Sequence, residues 1–181
     1  MEFAHDTEVA LVAAASLVNT ALADPDPLAD RALFDAWLLE YPYTGQYLGT
    51  ADELASVRAM RERLRGLWDA PDRDATVTLV NALLTDARAT PYLTRHDEWD
   101  WHLHVTAPEA PLAHRIGAES AMAAADLVRG DDLGRLRRCA GSDCDAVLVD
   151  LSRNRSKRFC DTGNCANRAH VAAYRARQAA G

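Results

Sequence analysis

Four cysteines near the carboxyl end of this 181-residue chain fall into two pairs, Cys139 with Cys144 and Cys160 with Cys165, separated by fifteen residues. Thiolates are soft ligands, and four of them suit the closed tetrahedral shell of a structural zinc ion. Catalytic zinc keeps one position open and rarely takes four thiolates, so this set points to organising a fold. The apolar run Val9 to Val18 is too short to span a bilayer and follows Glu2, Asp6 and Glu8, where a secretory leader would carry Lys or Arg. A cytoplasmic, non-membrane protein is expected, and in that reducing setting disulfides are a poor account of four cysteines. A redox dithiol is the competing reading.

Basic residues crowd the same region. Arg153, Arg155, Lys157 and Arg158 lie between the pairs, and Arg168, Arg175 and Arg177 follow the last cysteine along with His170 and Tyr174. Residues 135 to 181 carry ten Lys and Arg against four Asp, whereas residues 1 to 134 carry ten Arg against twenty-three acids. A basic module on an acidic body is what a polyanion-binding protein needs, and these seven cations are the candidate phosphate contacts to nucleic acid, DNA before RNA. The competing reading has them neutralise thiolates, solvate the surface or bind the acidic body. The chain would then be a zinc-stabilised adaptor for protein or RNA. Asn167 and Arg168, just past Cys165, are expected to support the cysteines from behind.

A second constellation lies upstream. Trp99, Trp101, Leu103 and Val105 alternate with Asp100, His102, His104 and Thr106, the period of a half-buried strand. His102 and His104 share one face and, with Trp101, are candidates for lining a ligand pocket. With Asp100 they could also bind a metal, but no third histidine stands at motif spacing; His96 or His114 would have to be brought in by the fold. Neither a glycine-rich phosphate loop nor a G-x-S-x-G elbow occurs, and no enzyme is expected. The four tryptophans, 37, 68, 99 and 101, are expected in the core.

These sites need elements to position them. Helical spacing and end signals place helices over Thr7–Leu22, Leu28–Glu40, Ala51–Trp68 (after a Thr50-x-x-Glu53 capping box), Asp74–Ala89 and Pro111–Arg129. Tyr92 to Arg95 is expected to pair with the alternating strand through an Arg95 to Glu98 turn, forming a small hairpin. Between the cysteine pairs, Ala146 to Leu151 and Lys157 to Phe159 read as two strands of a hairpin around a polar turn, with a final helix starting near Cys165. The fold class is mainly α: an amino-terminal helical bundle with a small hairpin, residues 1–130, then a zinc-ribbon or treble-clef-like module of hairpin plus helix, residues 131–181.

Arg137-Arg138-Cys139, Cys144, Asp150-x-Ser152-Arg153-Asn154, Ser156-Lys157-Arg158-Phe159-Cys160 and Cys165-Ala166-Asn167-Arg168-Ala169 with Tyr174-Arg175-Ala176-Arg177 resemble the CGNR-type zinc finger. In bacterial proteins this finger follows a helical ABATE domain. Leu17-Val18-Asn19-Thr20, the Asp and Pro rich turn before Leu28, Trp37-Leu38 and Trp101-His102-Leu103-His104-Val105 look like that domain. The resemblance implies a zinc-binding transcription regulator of the stress-induced class whose finger meets nucleic acid, with a helical domain that senses a ligand or forms a homodimer. Three positions depart from the family pattern: Ala166 replaces a usual glycine, and His170 and Ala172 stand where basic residues are frequent. Zinc binding should survive these changes, while fewer phosphate contacts should weaken the grip on nucleic acid.

Overall fold

The computed structural model describes residues 3–96 and 99–179, with only the backbone given for Trp99. Helix α1 (His5–Asn19) buries Leu11, Leu17 and Val18 and ends in a 3-10 turn, Thr20–Leu22. Helix α2 (Arg31–Glu40) starts later than its apolar pattern promises. The Asp26 carboxylate accepts the Leu28 amide at 2.8 Å, and Asp30 caps the helix by accepting from the Leu33 amide, so Leu28 is buried ahead of the helix. Helix α3 (Ala51–Asp69) is capped by Thr50 and α4 (Arg73–Asp86) by Asp72, each accepting from the third residue on. Glu53 completes the cap of α3 in an altered form, taking the Leu48 and Gly49 amides at 2.8 and 2.7 Å.

Strands β1 (Tyr92–His96) and β2 (Trp99–His104) form the expected antiparallel hairpin, pairing Tyr92 with His104, Leu93 with Leu103 and Thr94 with His102. Between Thr94 and His96 the register then shifts, with an extra residue on β2, so that His96 faces Trp99. Asp97 and Glu98, in the expected turn, lie outside the described residues.

Helix α5 (Leu112–Arg129) is the centre of the molecule, with α1, α3 and α4 packed around it. Its small residues allow that. Gly117, Ala118, Ala121 and Ala124 are buried, and a Cβ on Gly117 would stand 2.7 Å from the Met60 methyl of α3. Among the tryptophans, Trp37 is buried and stacks on Phe34, with ring centroids 5.7 Å apart. Trp101 corrects the expectation of a core residue: it is 64% exposed, its ring 5.4 Å from the Arg95 guanidinium carbon.

After a 3-10 turn, strands β3 (Leu136–Arg138) and β4 (Val147–Val149) make a second antiparallel hairpin, and α6 (Cys165–Ala179) closes the chain. The partner of β4 is therefore not Lys157 to Phe159, as expected, but the segment before it. The reason lies in where the later segment spends its backbone. The Lys157 amide donates to the Asp150 carboxylate, the Arg158 carbonyl accepts from the Ala140 amide, and the Cys160 amide donates to Cys139 Sγ. Val147 and Val149 belong to the same apolar core as α1, α3 and α5. Buried Asn19 at the end of α1 fixes the junction, its amide donating to the Val147 carbonyl and accepting from the Val147 amide, both at 2.8 Å. The Trp68 indole adds a bond to the Leu148 carbonyl at 3.0 Å.

Candidate metal centre, basic surface and cavity

The β3–β4 hairpin presents the first cysteine pair. Cys139 follows β3, Cys144 precedes β4, Cys160 lies in the following loop and Cys165 opens α6. Their four sulfurs lie within 4.8 Å of one another, with Cys144 to Cys160 at 3.8 Å and Cys160 to Cys165 at 3.9 Å. A tetrahedron with zinc–sulfur bonds near 2.3 Å requires sulfurs about 3.8 Å apart. The donor set therefore fits zinc in both chemistry and spacing, and the four cysteines are positioned to bind a structural zinc ion.

The surroundings favour thiolates. The Gly141 and Cys160 amides donate to Cys139 Sγ at 3.4 and 3.3 Å, and Arg168 donates to Cys165 Sγ at 3.1 Å. Cys165 also sits at the positive end of α6. Burial would raise the Cys160 thiol, but hydrogen bonds from Thr162, the Gly163 amide and the neighbouring thiols bring it down to about 7. At Cys144 the Ala146 amide lowers the thiol, yet burial and the other three sulfurs push it up to about 12. Four clustered thiols cannot all ionise alone, and a divalent cation among them removes that conflict. Space is tight here: a Cβ on Gly141 would come within 2.9 Å of Cys165 Sγ.

Asp150, fully buried, holds the loop beyond β4. It accepts from the Ser152 amide and hydroxyl and the Lys157 amide, and Arg137 lies 3.1 Å away. Burial would raise its carboxyl, but these donors hold it below the usual carboxylate range. Spacing alone gives no hint of this role, although a buried acid ahead of a serine and a basic run is the signal to look for.

The candidate phosphate contacts divide by partner. Arg155 is ion-paired to buried Asp132, Lys157 to Asp161 at 2.6 Å, and Arg168 to the Cys165 sulfur. Arg158 leans over Phe159. Arg153, Arg175 and Arg177 are exposed, and among the described residues no carboxylate pairs with them or with Arg158. Beyond Cys165 every side chain of α6 is exposed except half-buried Ala169; Tyr174 is 57% exposed. Asn167 is exposed too, and no hydrogen bond joins it to a thiol among the described residues.

His102 and His104 line a cavity of about 360 Å³ between the β1–β2 hairpin, α1, α5 and the segment after α2. Trp101 departs from that expected trio, since its exposed ring lies under Arg95 away from the lining. His96 joins instead, carried there by the pairing of β1 with β2. Tyr43 also lines the cavity, and its buried hydroxyl has no hydrogen-bond partner among the described residues. Burial raises the Glu119 carboxyl from 4.5 to about 7, with Asp6 adding to the rise and Arg115 opposing it. No helix among the described residues is long and apolar enough to cross a membrane.

Two family models match the chain. The family model described as "CGNR zinc finger" matches residues 135–178. A second, ABATE, described as "Putative stress-induced transcription regulator", matches residues 11–131. No curated protein matches the chain.

Proposed function

The chain belongs to the ABATE family, and from that premise we propose that it is a transcription regulator whose zinc-held α6 and preceding basic loop bind nucleic acid, DNA in the first instance. The observation that carries this reading is the state of α6. A helix of 15 residues has, among the described residues, only its first, Cys165, buried and Ala169 half-buried, and it bears three arginines and no acid. A helix that buries no face of its own gains little from folding packing, and its exposure is explained by a partner. At about 22 Å long it suits the major groove of duplex DNA. Arg175 and Arg177, with Arg153 and Arg158 from the loop, supply cations with no carboxylate partner among the described residues, and Tyr174 can pack against sugar or base. The helical part, residues 1–130, would sense a small ligand in the Tyr43 cavity or pair with a second copy, while the zinc module, residues 131–181, makes the contact. Asn19 and Trp68 support communication between the two parts, because they hold β4 directly to α1 and α3.

A second reading, an interaction adaptor without DNA binding, draws on the ion pairs that tie Arg138 to Asp69 and Arg155 to Asp132. These pairs spend part of the basic charge on the acidic body. Fluorescence anisotropy of the zinc-loaded full chain with labelled duplex DNA and with RNA separates the two. The regulator reading expects Arg175→Ala with Arg177→Ala to weaken DNA binding about tenfold at low salt. Undiminished binding by that variant removes α6 from the interface, and absence of binding to either nucleic acid favours the adaptor.

A further inference from the structure

Three imidazoles meet at the mouth of the cavity. His96 Nε2 lies 3.0 Å from His104 Nε2 and 3.2 Å from His102 Nε2, and all three rings line the cavity. Ligands bound to one first-row metal ion at about 2.0–2.1 Å are separated by about 3.0–3.4 Å, so two of the three nitrogen pairs already stand at coordination spacing, and one ring nitrogen from each histidine lies within 4.8 Å of the others. Two partners behind these rings lie among the described residues. His102 Nδ1 is 2.8 Å from the Asp100 carbonyl, which can only accept, so that nitrogen carries the proton and Nε2 keeps its lone pair. His104 Nδ1 faces the Tyr92 hydroxyl at 3.4 Å. This arrangement of an outer partner behind a ligating imidazole is what fixes histidines on a metal.

We infer that His96, His102 and His104 form a second metal site, binding a divalent first-row ion such as Zn2+ through three Nε2 atoms with a further position open to the cavity. A proton shared among the rings is the alternative, but one proton on His96 Nε2 must divide between two acceptors, whereas a cation satisfies all three lone pairs. The site differs in kind from the cysteine cluster. Four thiolates close a coordination shell, while three imidazoles beside a cavity leave room for an exogenous donor atom from a small molecule. The Glu40 and Asp6 carboxylates on the cavity wall favour a cation here. The inference is independent of the nucleic-acid reading, for it would hold if α6 bound nothing.

Cobalt titration of the full chain, already carrying one zinc per chain in the cysteine site, tests it. One equivalent of Co2+ should bind as a second metal, with visible d–d absorption and without thiolate charge-transfer bands. His96→Ala and His102→Ala should each weaken binding of that second metal at least about tenfold while retaining the first zinc, and His114→Ala, outside the cluster, should keep both. Imidazole nitrogen NMR of the unsubstituted protein decides the matter should a variant fail to fold: Co2+, or Zn2+ in its place, must perturb the Nε2 signals of these three histidines. A single metal per chain at excess cobalt, a second metal untouched by both variants, or unperturbed imidazole signals would overturn the inference.

Discussion

Replacing Asn19 tests how the two parts of the chain are joined. Its side-chain amide makes two bonds of 2.8 Å to the backbone of Val147, on the edge of β4 that β3 leaves unpaired. Asn19 is 6% exposed and Val147 1%, so water does not readily replace the lost partner. In Asn19→Ala the Val147 amide and carbonyl both lose their bonds. Each buried group left unsatisfied costs about 1–3 kcal/mol, so for two groups a loss of about 2–6 kcal/mol follows. Asn19→Asp separates geometry from chemistry: a carboxylate can still accept from the Val147 amide but repels its carbonyl, so it should be destabilising despite its matching shape. Urea unfolding of the zinc-loaded chain, followed by Trp fluorescence and by zinc release, gives the magnitude. It should also show the zinc module separating from the helical part at lower urea in both variants. If Asn19→Ala changes stability by less than about 0.5 kcal/mol, with the two probes still coincident, the junction is not held as described.

Two other perturbations have definite outcomes. Gly141→Ala drives a Cβ to 2.9 Å from Cys165 Sγ, an overpacking cost of about 1–3 kcal/mol, and should lower zinc affinity at least about tenfold in chelator competition; unchanged affinity would show that the site yields freely. Glu119 holds its proton in the folded chain up to about pH 7 but loses it near 4.5 when unfolded, so its contribution is intact below 4.5 and declines as pH rises toward 7. Discounted for the share of the side chain that reaches the cavity, Glu119→Gln should be more stable than the unsubstituted chain by about 2 kcal/mol at pH 8 and equal to it at about pH 4. A pH-independent difference in thermal unfolding would contradict this assignment.

Much of this architecture is legible in the sequence because it rests on local chemistry. Thr50 and the Pro111 start announce their helices, alternation announces β2, and two cysteine pairs announce their ligand set. What the sequence conceals is set by tertiary pairing. Leu136–Arg138 reads as a charged surface, yet only its backbone is needed to complete β4; the apolar Phe159 segment looks the better strand and is instead held by Asp150 and Ala140. His96 sits six residues from His102, outside any ligand spacing, and antiparallel pairing alone brings the two nitrogens to 3.2 Å. Trp101 departs from its expected place for a related reason. A two-stranded hairpin leaves part of its surface open to solvent, so apolar alternation in β2 does not guarantee burial.

The salt dependence of DNA binding by the zinc-loaded chain bears most directly on the central claim, that a cysteine-held zinc presents α6 and its neighbouring loop to nucleic acid. Arg153, Arg158, Arg175 and Arg177 are free of carboxylate partners among the described residues. Four phosphate contacts give a slope of about −4 in log affinity against log salt, falling to about −2 when Arg175 and Arg177 are both alanine, and binding should vanish once zinc is removed. A slope unaltered by the double substitution, binding that survives zinc removal, or no binding even at low salt would contradict the account.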